Sequence, residues 1–137
     1  MTTTRGIRLN NPGNIDHNDA IKWMGELPVD KAIEPRFCRF ETPIYGLRAL
    51  GKNLLSYKKR GINTVSGIIM RWAPSTENNT GAYIDSVADA CGVEPTEIID
   101  IAEFLPILIC SIVKHENGTM PYSAAQIGEA VKMALVK

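Results

Sequence analysis

Beyond residue 42 the apolar positions recur every three or four residues; before it they do not. Recurrence at that interval lines one side of a helix, so the chain divides into an irregular front and a helical remainder. Segment 43–59 carries Leu47, Leu50, Leu54, Leu55 and Tyr57. Thr42 precedes Pro43 as a cap before a proline at the first helical position, and Gly61 follows as a stop. A second helix is predicted over 64–73, ending before Pro74. "STENNT" is a loop, from which Asn79 or Thr80 caps a helix through about Ala90, closed by Gly92. Pro95 is predicted to open a short helix to about Ala102. The next helix covers about 104–116, and Ser123 caps a last one to about 135.

The front segment "RGIRLNNPGNIDHNDAIKWMGELPVD" is rich in Asn, Gly, Pro and Asp, which favour turns and short irregular strands. "RFCRF" alternates as a short strand at 36–40. The expected fold is mainly α (α+β), with a small irregular β region near the N-terminus, in a single domain spanning 1–137.

Charge and cysteine content narrow the chemistry. Fifteen basic residues balance fifteen acidic ones, so the nucleic-acid backbone is not the expected partner, despite "RGIR" and "YKKRG". Cys38, Cys91 and Cys110 are widely spaced and odd in number, and no CxxC or Cys/His ligand spacing occurs. They read as reduced core thiols, and neither a metal nor an organic cofactor is expected. "HE" at 115–116 is not the HExxH zinc signature. "MTTTRGIRLNN" has no apolar core of a signal peptide, and "FLPILICSIV" is too short to span a bilayer and contains Pro106. The expectation is a product made in the cytoplasm without stable membrane insertion.

Leu105, Leu108, Ile112 and Glu116 lie three, four and four residues apart, so Glu116 continues the apolar stripe of its helix. Gly118 then ends that helix. Partial burial and the partial negative charge of a helix C-terminus both favour a carboxyl that keeps its proton, the state a general acid needs. The alternative is a solvated helix-end carboxylate neutralised by Lys114 or His115.

"SIVKHENG" resembles the helix-Glu-Ser/Asn-Gly signature of the lysozyme-like superfamily, in which the helix-ending Glu is the catalytic acid. "RGIRLNNPGNI", "WMGE", "FCRFETPIYGLRAL" and "LLSYKKRG" are similar to small phage lytic enzymes of that type. "NNPGNI" also resembles the Asn-rich turn of glucosaminidases and lytic transglycosylases, and "RWAPSTENNTGAYIDSV" the segment that brings a tyrosine into the substrate cleft. In the usual order the catalytic helix comes first and the Asn-rich turn follows; here the order is reversed. The resemblance therefore implies a circular permutation, which chain termini lying close together allow. It requires residues 8–14 to lie beside residues 116–122.

What the resemblance implies is cleavage of peptidoglycan glycan strands at a β-1,4 bond, with Glu116 as general acid and base and no metal. The expected setting is a phage or prophage, with action on the cell wall, as part of a virion or alongside lysis components. Asn10, Asn11 and Asn14 are candidates for binding acetamido or hydroxyl groups, or they build turns around Pro12. Tyr83 corresponds to the cleft tyrosine, or is a buried helix aromatic. Tyr122 could close one wall, and Trp23 and Trp72 could stack on sugar rings or simply pack. Glu77, in a polar loop, is the rival acid and a better base or electrostatic partner. Asp16, Asp19, Glu26 and Glu41 are open candidates for a second carboxylate. The competing class is a structural or glycan-binding virion protein without turnover.

Overall fold

Side-chain caps fix where most of the helices begin. The computed structural model describes residues 3–74 and 79–136. Among them are six helices: α1 (Arg5–Arg8), α2 (Pro43–Lys59), α3 (Val65–Trp72), α4 (Thr80–Cys91), α5 (Ile101–Asn117) and α6 (Ala124–Leu135). The Thr42, Thr64, Asn79 and Asp100 side chains each accept a backbone N–H in the first turn of the helix that follows. Ser123 and Gln126 form a reciprocal capping box at α6. Gly92 and Gly118 end α4 and α5 in the left-handed conformation.

The protein is mainly α, as the periodicity predicts, with differences at three places. First, 95–102 is not a helix. Residues 94–97 turn and 98–100 take no regular structure, because Asp100, itself extended, caps the next helix at Ile101 and Ile99 donates its N–H to the Asn63 carbonyl. Second, α5 therefore starts three residues earlier than predicted, and Pro106 lies inside it with its ring exposed. Third, the β region is reduced to the isolated bridges Asp16–Phe37 and Glu26–Phe40, and "RGIR" forms a single helical turn. The run 36–40 finds few partners because the segments beside it turn every few residues.

α2 and α5 supply much of the main core. Leu47, Leu50 and Leu54 of α2 meet Leu105, Leu108, Ile109 and Ile112 of α5 in a cluster that Ala130 and Ala134 of α6 and Val65, Ile68 and Tyr83 complete. Gly51 lets α6 come close, since a Cβ there would stand 3.0 Å from the Ala134 methyl. A smaller cluster of Ile15, Cys38, Phe40 and Ala49 holds the front segment against α2. Burial pushes the Cys38 thiol up to about 12. Cys38, Cys91 and Cys110 are all free thiols. Among the described residues no helix is long and apolar enough to cross a membrane.

Candidate active site

The apolar stripe of α5 ends where the N-terminal segment crosses it. Leu105, Leu108 and Ile112 are fully buried, and Glu116, next on the stripe, is half-buried. Asn117, one residue on, joins the segment to the helix. Its amide donates to the carbonyls of Pro12 (2.8 Å) and Val113 (2.9 Å), and its carbonyl accepts from the Thr4 hydroxyl at 2.7 Å. Gly6 is needed at this crossing, since a Cβ would stand 2.6 Å from the Asn117 Oδ1 and 2.9 Å from the Asn11 carbonyl. Residues 12 and 14 thus lie beside 116 and 117.

Both oxygens of Glu116 are held. Asn14 Nδ2 donates to Oε1 at 2.9 Å, and the Tyr83 hydroxyl contacts Oε2 at 2.9 Å. Asn14 reaches there from a left-handed backbone conformation (φ 52°), which Asn tolerates better than most residues. Tyr83 comes from α4, fully buried, with the His115 ring stacked on it at 3.7 Å between centroids. Burial, and secondarily the Glu116 charge, push the Tyr83 phenol far up, so it remains protonated and able to donate. A phenol can equally accept from a protonated carboxyl, so the same contact suits either state of Glu116.

Glu116 borders an open cleft of about 420 Å³. Asn14, Trp72, Tyr57, Asn53, Asp16 and Arg71 line it, together with Phe37 and Arg36. Arg36 forms an ion pair with Asp16, and its guanidinium lies 4.7 Å over the Phe37 ring. The cleft floor is tight at Gly13, where a Cβ would stand 3.0 Å from the Trp72 ring.

Of the residues singled out from the sequence, Glu116, Asn14 and Trp72 meet at this cleft, as does Asp16 from the possible second carboxylates. The others lie elsewhere. Asn11 is fully buried, donating to the carbonyls of Ile15 and Cys38 and accepting from the Ile15 N–H, so it has nothing left for a ligand. Asn10 donates to the Phe40 carbonyl and fixes the turn. Tyr83 is not a cleft-lining side chain but holds Glu116 from behind. Tyr122 packs on the main core rather than forming a wall of this cleft, and its hydroxyl is buried without a hydrogen-bond partner among the described residues. Trp23 packs on the smaller cluster. Glu77 lies outside the described residues. Asn53 and Tyr57 were missed as cleft residues. Tyr57 continues the leucine stripe of α2, and Asn53, one turn before it, lies at the border of that stripe; this spacing of four is the signal that was available.

The fold and this site define a mainly α protein with a half-buried carboxylate at the edge of an aromatic and amide-lined cleft. No protein-family model matches the chain. It is 38% identical over 126 residues to Protein P5 of Pseudoalteromonas phage PM2, an alignment that covers 90% of this chain and 77% of that protein. The chain belongs to the family of that phage protein.

Proposed function

We propose that the protein cleaves peptidoglycan glycan strands at a β-1,4 glycosidic bond, with Glu116 as general acid and then base, on a circularly permuted lysozyme-like fold. One arrangement carries the reading. A carboxyl at the end of a buried helix stripe, steadied on one oxygen by Asn14 and on the other by Tyr83, borders a cleft of about 420 Å³. Trp72 and Tyr57 offer aromatic surface for the apolar sides of sugars, and Asn14 and Asn53 offer amides for hydroxyl and acetamido groups. That volume suits a ligand-sized pocket. The phage origin of the relative fits a wall-degrading role, carried by a particle or exercised at lysis.

In this mechanism Glu116 gives its proton to the bridging oxygen as an oxocarbenium-like centre develops at the sugar. The resulting carboxylate, steadied by Tyr83 and Asn14, then activates water or a hydroxyl of the same muramic sugar. Water yields a reducing end, and the internal hydroxyl yields an anhydro end. Asp16 shares the cleft but is tied to Arg36, which favours a scheme with one free carboxylate.

Glu116→Gln should reduce clearing of a bacterial wall suspension by about 10²-fold or more, the usual worth of a positioned acid–base group, with helical content and melting nearly unchanged. Asp16→Asn should cost far less. Retention of most activity in Glu116→Gln would refute the assignment. Mass spectrometry of the digest identifies the bond cut and separates anhydro from reducing ends. A second reading, glycan binding without turnover, is favoured by the protein's own donors already occupying both Glu116 oxygens. It requires wall binding with no loss of turbidity.

A further inference from the structure

On the other side of the cleft wall, three side chains from separate runs of the front segment converge. His17, Glu26 and Cys38 each offer one ligand atom, and these atoms lie within 4.8 Å of one another. His17 Nδ1 is 3.1 Å from Glu26 Oε2. All three residues line a small cavity of about 30 Å³, on the scale of a single ion or water. The Cys38 residue is 2% exposed and the Glu26 side chain 6%, while the His17 side chain, at 24%, leaves a way in.

Their outer contacts are those of a ligand set. His17 Nε2 is 2.7 Å from Asp19 Oδ1, and the other Glu26 oxygen accepts the Trp23 N–H at 3.1 Å. A carboxylate on the far nitrogen of a metal-binding histidine fixes its ring and raises its donor strength, and ligating carboxylates are themselves hydrogen-bonded. Both His17 nitrogens face carboxylate oxygens, whereas a neutral imidazole carries only one N–H. A protonated ring donates to both; a neutral ring with its N–H on Asp19 instead turns the Nδ1 lone pair towards a cation seated beside Glu26 Oε2. The Arg36 and Arg39 side chains on the cavity rim are directed elsewhere, to Asp16 and to the Pro28 carbonyl.

We propose that His17 Nδ1, Glu26 Oε2 and Cys38 Sγ form a binding site for one divalent transition-metal ion of the zinc class, and that the ion clamps the wall of the cleft. One nitrogen, one oxygen and one sulfur donor suit zinc, with water completing a tetrahedron. The need for a clamp is local. Among the described residues the front segment has two isolated bridges and no longer strand ladder, yet Asp16 and Phe37, neighbours in sequence of His17 and Cys38, stand on the cleft. Bringing distant runs together is the usual structural use of a metal in such segments. The site stands independently of what the cleft does.

Cobalt(II) is the probe. The full chain, stripped with chelator, should take up one equivalent of Co²⁺ and develop a thiolate-to-cobalt charge-transfer band that Zn²⁺ abolishes by displacement. Cys38→Ser should remove the band, and Cys91→Ser and Cys110→Ser should keep it. Asp19→Asn changes an exposed side chain that is no ligand, so folding is not at issue, and it should weaken Co²⁺ binding by about 10- to 100-fold. Absence of the band in the wild-type chain, its survival in Cys38→Ser, or unchanged affinity in Asp19→Asn would overturn the proposal in favour of a hydrogen-bonded cluster without metal.

Discussion

At the residue scale, the two partners of Glu116 differ in how they can be tested. Tyr83 is fully buried, so Tyr83→Phe keeps the ring and removes only the hydroxyl. A hydrogen bond contributes about 0.5–1.5 kcal/mol net, and one to a charged group about 1.5–3 kcal/mol, so this variant should lose stability within that span, measurable by urea unfolding. If Glu116 works as proposed, wall clearing should fall as well, while binding to wall fragments changes little. Asn14 has a positive φ, which makes alanine a poor probe because backbone strain would mix with the lost contact. Asn14→Gly keeps the conformation available and removes the amide. It should lower turnover without lowering stability as much as Asn14→Ala does. Equal effects of the two variants on both readouts would show that backbone shape, rather than the amide, is what matters there.

At the scale of elements, α2 is the support on which the front segment is laid. Gly46 lies where the Asn10 carbonyl meets the helix, and a Cβ there would come within 1.8 Å of that oxygen. The Asn10 backbone is itself left-handed at φ 55° and its side chain bonds the Phe40 carbonyl, so it cannot easily retreat. Gly46→Ala should therefore destabilise by about 1–3 kcal/mol, the usual cost of overpacking, despite the better helix propensity of alanine. A melting temperature equal to or above that of the wild type would show that the segment yields freely. Glycine here is a packing requirement, since the same residue in an open helix would be a defect. The short turn α1 depends on a comparable approach, with Gly6 against Asn117.

For the whole molecule, the division between helical core and irregular front sets how it should respond to acid. Glu34, nearly buried, accepts the backbone N–H groups of Phe37 and Arg36, each at 2.8 Å. These bonds, chiefly the one from Phe37, with Arg5 and Arg8 adding charge attraction, hold its carboxyl below the ordinary 4.5. A depressed folded-state value means that Glu34 stabilises the fold fully above pH 4.5 and that this contribution is lost as pH falls through the folded value. Glu34→Gln should thus be less stable than the wild type near neutrality, and the gap should close as pH falls below 4.5 and through the depressed folded-state value. Urea unfolding at several pH values checks the sign. A gap that stays constant with pH would mean that the carboxylate charge contributes nothing.

The sequence by itself determined the helical part of this protein. The three-and-four spacing of leucines and isoleucines, Thr42-Pro43, Ser123 and the glycines at 92 and 118 act over a single turn, so they are legible one residue after another. The same locality put Glu116 at the end of a buried stripe. The false helix at 95–102 shows the limit, because a proline start signal competes with the Asp100 cap and with a backbone bond to Asn63, more than thirty residues away. Only the tertiary structure decided which asparagine meets Glu116 and which is consumed in a turn, that Tyr83 stands behind the carboxylate, and that Asn53 and Tyr57 share its cleft. It also brought His17, Glu26 and Cys38 together, where no ligand spacing suggested a site. Those relations depend on backbone conformations and approaches between segments up to about a hundred positions apart, such as Asn14 and Glu116. Such long-range contacts have no period and leave no mark on neighbouring residues.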